Sequence, residues 1–263
     1  MSELSSERIR DALTTQTFGR QLVVVDECAS TFDIAEQFAL SGAPSGLTII
    51  ATQQSNGRGR FGRSWLSPSG GLWMTILLRN PEFSAAASGI PLLGALSIAR
   101  TINATFGIRS RVRWPNDVVI RSDKVGGVLA ESRFEGNEYA FSLLGIGVNV
   151  NFQPSLIEIT NKKSTTILNE LKHPVDINAL ASASLKEIEG IFDLAAQNQI
   201  NPILKLLGAT DYSCGRRVRV VMPGRNVEGI FQKYRSLTEV EIDTDGEYVI
   251  IETGTAMAVE YTV

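Results

Sequence analysis

Apolar positions along this chain follow two rhythms, one helical and one strand-like. Residues Ser5 to Thr14 put Ile9, Ala12 and Leu13 on one face, which predicts a short amphipathic helix. QLVVVDEC (21–28) is a β-branched run and reads as a strand. STFDIAEQFAL follows as a helix, with Ser30 or Thr31 as its N-cap. GLTIIATQQ (46–54) and GGLWMTILL (70–78) read as two more strands. The alanine-rich stretch from Ser84 to Phe106 predicts a long helix. Strand patterns return in RSRVRW, DVVI, GGVLAESRF and YAFSLLGIGVNVN. Helices are expected near Thr166 to Glu170, over Asn178 to Asn198 and over Pro202 to Leu207.

After GATDYSCG the rhythm shortens. RRVRVVM, VEGIFQKY, EVEID and YVIIE are short strands, separated by turn signals such as PGRN and TDGE. Four or five such strands predict a small β-barrel appendage. The larger part mixes strands and helices without regular βαβ alternation, so the expected class is α+β.

Composition narrows the function. A net charge of −3 argues against general nucleic-acid coating. The two distant cysteines, Cys28 and Cys214, point to a reduced, cytoplasmic protein. With one histidine, His173 in a turn-like LKHPVD, they cannot build a four-ligand zinc site, and a histidine triad is not expected. No apolar run is long enough to span a membrane, and no secretory signal pattern opens the chain.

Against that acidic balance, QQSNGRGRFGRSW (53–65) concentrates Arg58, Arg60 and Arg63 among glycines. Such a loop can cup an anion with backbone N–H groups and forked guanidinium donors. It matches neither a P-loop nor a dinucleotide fingerprint. A solvated hairpin, an RGG-like nucleic-acid segment and disorder remain open on this stretch alone. Three further stretches bear on the choice. RWPNDVVI (113–120) sets Asn116 and Asp117 behind Pro115 in a turn. KVGGVLAES (124–132) places Lys124 before Gly126 and Gly127, a glycine pair that lets something approach the backbone. GIGVNVN (145–151) ends a strand in Asn149 and Asn151, amides able to donate and accept at once. Each has a plain structural alternative: a turn, a bulge beside an exposed lysine, a strand-end asparagine.

Together the four stretches resemble the biotin–protein ligases, in order and spacing, over about residues 20 to 150. The resemblance implies an α+β catalytic core related to class II aminoacyl-tRNA synthetases, over residues 1–212, and a small C-terminal SH3-like β-barrel over 213–263. It implies an ATP-dependent enzyme, with Mg²⁺, that makes biotinoyl-5′-AMP and passes biotin to a lysine of a biotin carboxyl carrier protein. Carried over by motif, Lys124, Arg58 and Arg60 would be catalytic. Ser30, Thr31, Gln54, Gly57, Arg58, Lys124, Gly126 and Gly127 would meet biotin, and Arg58, Arg60, Trp65, Asn116, Asp117, Lys124 and Asn149 the nucleotide. No protein-held metal is implied. Two positions depart from the family pattern: Phe32 stands where an asparagine is usual, and Arg113 where a lysine is usual. About twenty residues precede the first core strand, too few for the helix-turn-helix domain some of these ligases carry, so no DNA partner is expected. A homodimer and a monomer both stay open. The rival readings are a lipoate–protein ligase and, in another class, a non-catalytic RNA-binding module using the Arg-Gly loop.

Overall fold

The computed structural model describes residues 3–79, 89–156 and 163–261. Its elements run α1 (Ser6–Ala12), β1 (Leu22–Cys28), α2 (Thr31–Leu40), β2 (Thr48–Gln54), β3 (Leu72–Leu78), α3 (Ile90–Phe106), β4 (Ser110–Arg113), β5 (Asp117–Ile120), β6 (Asp123–Glu135) and β7 (Glu138–Val148). Then come α4 (Ile167–Leu171), α5 (Ile177–Ala196), α6 (Ile200–Thr210), β8 (Arg217–Met222), β9 (Arg225–Tyr234), β10 (Glu239–Thr244), β11 (Glu247–Glu252) and β12 (Ala258–Tyr261).

Seven strands form one mixed sheet in the order β1-β2-β3-β7-β6-β5-β4. Only β1 and β2 are parallel, joined by α2; the other neighbours are antiparallel. α3 and α5 cover one face, with Met74, Ile76, Leu144, Ile146 and Val148 pointing into that core. α2 covers part of the other face, packing Phe32, Ala35 and Ala39 on Ile49, Leu77 and Leu143. The alternation along β7 explains the split: even-numbered residues face α3, and odd ones face α2.

Local chemistry sets the helix ends. Ser30 caps α2, its side chain accepting from the Phe32 amide. Pro91 stands in the first turn of α3, and Gly107 closes it at φ 67°. The forward part of the long helix expected from Ser84 falls partly outside the described residues. On α1 the buried face is Ile9 with Leu13 beyond its end, whereas Ala12 is exposed, contrary to the expected stripe. α6 is longer at both ends than the expected 202–207.

The C-terminal strands make a five-stranded antiparallel sheet, β11-β10-β9-β8-β12. The TDGE turn has Asp245 at φ 60° and Gly246 at φ 101°, the positive pair that a tight two-residue hairpin requires. Among the described residues β11 and β12 are the two ends and no ladder joins them, so the expected closed barrel is an open sheet here. β12 adds a strand that no clear sequence signal marked. This sheet is not a detached appendage. Phe231 packs on Trp114 with ring centroids 5.8 Å apart, and its core is continuous with that of α3.

Candidate active site

The candidate residues gather on the α2 face of the large sheet. Register brings three glycines together there. Gly127 pairs with Gly147, and Gly145 with Thr75 on the next strand. Two aromatic rings lie directly on this floor. A Cβ at Gly145 would stand 2.1 Å from the Phe32 ring, and one at Gly147 2.7 Å from Trp65 Nε1. Side chains at these positions would evict the rings, so glycine here is a requirement of close approach. Gly126, expected beside Gly127, is on the opposite face against Val118 and Val148.

Asp117 pairs with Gly127 and so belongs to the same row. Lys124 Nζ lies 2.5 Å from Asp117 Oδ1 and 4.7 Å from the centre of the Trp65 ring. Arg113 donates to the other carboxylate oxygen at 2.9 Å. Side-chain exposure in this trio is only 15–22%. Burial works to raise the Asp117 carboxyl, but Lys124 and Arg113 overcome it and hold the group below its ordinary value. The Lys124 backbone is tied down as well: its amide donates to Lys163 O and its carbonyl accepts from Thr165.

The Arg-Gly stretch is an irregular hairpin above the floor. Its stem bonds are Gln54 N to Ser67 O at 3.0 Å, Trp65 N to Gly57 O at 2.9 Å and Gly59 N to Arg63 O at 2.7 Å. The tip is a 3-10 turn, Arg60–Gly62, with Phe61 at φ 57° and Gly62 at φ 71°. Gly57 and Gly59 do not have positive φ. Gly57 is small because a Cβ would stand 2.3 Å from Trp65 O, within the hairpin itself. Arg58 reaches Asp33 and, at 3.0 Å, Glu131, with Phe32 under its guanidinium at 5.7 Å. Arg60 donates to Asn116 Oδ1 at 3.4 Å and to Ala256 O at 2.9 Å. Burial lowers the Arg60 guanidinium from its ordinary value, against the pull of Asp117.

A hydroxyl chain links floor to hairpin. Thr31 Oγ1 donates to Gln54 Oε1 at 3.0 Å and therefore accepts from Thr75 Oγ1 at 2.7 Å. Gln54 Nε2 continues to Ser67 Oγ at 2.8 Å. An open hollow of about 330 Å³ adjoins Gln54 and Ser67, with Glu27, Leu66 and Pro68 on its walls. Two atoms of the site are buried without a hydrogen-bond partner among the described residues: Trp65 Nε1 and Asn149 Oδ1. The Asn149 amide nitrogen donates to Thr165 O at 3.1 Å, which leaves Oδ1 as a buried acceptor with no donor among the described residues. Asn151, by contrast, is fully used, bonding Val175 in both directions.

Of the residues singled out from the sequence, the structure brings Ser30, Thr31, Gln54, the hairpin, Trp65, the 116–117 turn, Lys124, Gly127 and Asn149 into one region. Sequence reasoning did not single out Thr75, Glu131, Gly145 and Gly147 as neighbours. Thr75 and the two glycines lie in strands whose facing only the sheet register reveals. Among the described residues no group of three His, Cys, Asp or Glu side chains could hold a metal ion.

This arrangement defines a cation-rich, glycine-floored site on an α+β scaffold. Residues 25–150 match the Biotin/lipoate A/B protein ligase family. The biotin–[acetyl-CoA-carboxylase] ligase of Mycobacterium tuberculosis is 30% identical over 264 residues, covering 95% of this chain and 94% of that protein. The chain belongs to the biotin–protein ligases. The bifunctional ligase/repressor BirA of Bacillus subtilis is 36% identical over 154 residues, 58% of this chain but only 47% of that longer protein. The biotin protein ligase from Aquifex aeolicus, solved in complex with biotin and ATP, superposes with a TM-score of 0.80 at 25% identity, over 92% of this chain and 100% of that one.

Proposed function

We propose that the protein activates biotin with ATP and transfers it to a lysine of a biotin carboxyl carrier protein in the cytoplasm. One observation carries this reading: Lys124, Asp117 and the Arg-Gly hairpin converge over a glycine floor, beside two unpartnered side-chain polar atoms. In the first step a carboxylate oxygen of biotin attacks the α-phosphorus of ATP. Pyrophosphate leaves and a mixed anhydride, biotinoyl-5′-AMP, remains. In the second, a neutral lysine amine of the acceptor attacks the anhydride carbonyl, and AMP leaves.

Both reactants of the first step are anions. Two unit charges about 4 Å apart repel by about 4 kcal/mol at an effective dielectric near 20. Positioned cations remove that barrier, and no protein nucleophile is needed. Lys124 is the natural bridge between carboxylate and α-phosphate, because Asp117 and the Trp65 face hold its ammonium in place. Arg58 and Arg60 close from above. Thr31, Gln54 and Ser30 offer hydroxyl and amide groups to a ureido ring, beside Gly57 and Gly127. Trp65, Asn116, Asp117 and Asn149 line the nucleotide side, where the free Asn149 Oδ1 suits an exocyclic amine of adenine. The described residues offer no metal cage, so Mg²⁺ would enter with the nucleotide's phosphates.

In the same reading residues 1–212 are the catalytic unit and 213–263 an SH3-like unit. Short antiparallel strands and the bulge between Glu241 and Ile242 support the latter. Release of pyrophosphate from ATP only when biotin is present tests the activity. Lipoate replacing biotin with equal efficiency would instead favour the lipoate branch of the family.

A further inference from the structure

The two sheets meet at Trp114, and the polar groups there form a closed ring. Trp114 N donates to Ser213 Oγ at 3.0 Å. Tyr261 OH lies 2.9 Å from Trp114 O and 2.7 Å from Ser213 Oγ. A carbonyl can only accept, so the Tyr261 proton goes to Trp114 O. Ser213 must then give its own proton to Tyr261 and accept from the Trp114 amide. Each donor and each acceptor in the ring is used once. Burial pushes the Tyr261 phenol well above its ordinary value, which keeps it a donor at every working pH. The indole of the same Trp114 donates to Thr253 Oγ1 at 3.2 Å.

This ring grips the residue that launches the Pro115-Asn116-Asp117 turn. Asn116 accepts from Arg60, and Arg60 in turn donates to Ala256 O, a few residues before Tyr261 in the chain. Arg63 makes a longer contact of 3.5 Å to Met257 O. One stretch of the small sheet, residues 253–261, thus touches both walls of the candidate nucleotide side: the turn below and the hairpin above.

We propose that residues 253–261, together with Ser213, act as a positioning clamp for the nucleotide half of the site, with Tyr261 and Ser213 as the positioning residues. They touch no substrate. They act by setting the Trp114 backbone, and through it Asn116 and Asp117, while the Ala256 carbonyl sets the height of Arg60. The inference rests on the assignment of that side to ATP. The biotin side hangs on a different set of bonds, from Thr31, Thr75, Gln54 and Ser67, with no contribution from the small sheet.

The test is a split between the two substrates in the full chain. Tyr261→Phe keeps the ring packing on Tyr212 and removes one hydroxyl. The expected result is a rise of about tenfold in KM for ATP with KM for biotin changed less than twofold. Ser213→Ala should behave alike, and Ser213→Thr, which keeps the hydroxyl, should restore most of the ATP affinity. Direct ATP binding by titration calorimetry on parent and variants makes the outcome independent of turnover. If the parent binds ATP but releases no pyrophosphate with biotin, the proposed activity fails, and the clamp is still judged by the binding ratio. Equal ATP affinity in parent and Tyr261→Phe overturns the clamp. So does a parallel loss of ATP and biotin affinity that follows a fall in Tm, because that is ordinary destabilisation.

Discussion

Two ion networks flank the glycine floor, and they are built differently. In one, Lys124, Asp117 and Arg113 stand on β4–β6 and are 15–22% exposed. In the other, Arg58 extends from the hairpin to Asp33 and Glu131, and the three are 33–43% exposed. The less exposed trio meets less water, so its partners hold one another's positions more firmly. Its single carboxylate is shared by two cations, which leaves net positive charge directed at the site. The exposed trio reverses this ratio. One arginine is satisfied by two carboxylates in a wet setting, where each pair is worth only about 0.2–1 kcal/mol. Arg58 can therefore exchange a carboxylate partner for a substrate anion at little cost, while Lys124 is already in place. In the proposed function this contrast would give the site one cation held in place and one free to change partners.

The largest expected effect lies in the buried trio. Lys124→Ala should lower biotin-dependent pyrophosphate release by about 10²–10³-fold, the range for removing one positioned electrostatic group. Near-normal release would remove the lysine from the chemistry. Next, Asp117→Asn should destabilise the fold by about 3 kcal/mol at neutral pH, because Lys124 and Arg113 lose their shared partner. The pH dependence has a definite sign. Asp117 holds its proton less tightly folded than unfolded, so the unfolded chain takes up more protons in the window just below the ordinary value of 3.8. The stabilisation is present above that value and disappears as pH falls through the folded pKa. Urea unfolding from pH 7 down to pH 2 should show the parent converging on Asp117→Asn at the acid end; a constant gap would contradict the assignment.

A smaller effect belongs to the hairpin. Arg60→Ala should release free biotinoyl-5′-AMP about tenfold faster than the parent, matching the loss of a hydrogen bond from a charged donor. Trapping of the released adenylate by hydroxylamine measures it. The smallest effects come from the exposed trio. Asp33→Asn and Glu131→Gln should each shift stability by less than about 1 kcal/mol. A double-mutant cycle between Arg58 and Glu131 should shrink on going to 0.5 M salt, whereas one between Lys124 and Asp117 should keep most of its coupling. Equal salt sensitivity in the two cycles would erase the distinction drawn between the networks.

Much of this was legible from residue order alone. Local chemistry narrowed the α2 N-cap to Ser30 or Thr31, ended α3 at Phe106 and marked the TDGE hairpin, because each depends on a few neighbouring residues. The four motifs pointed to one site because their spacing carries chemistry that any folded form must keep close. Tertiary structure decided what depends on pairing between distant strands. Register put Gly145 and Gly147 under the Phe32 and Trp65 rings, and it gave Asp117 to Lys124 and Arg113 together. It also turned Gly126 away from the floor and made Gly57 a matter of hairpin packing. An open sheet took the place of the expected barrel, with its last strand bonded to Trp114, 147 positions earlier in the chain. Such contacts leave no mark in a local pattern, because a hydroxyl and a carbonyl so far apart in sequence meet only once the two cores have joined.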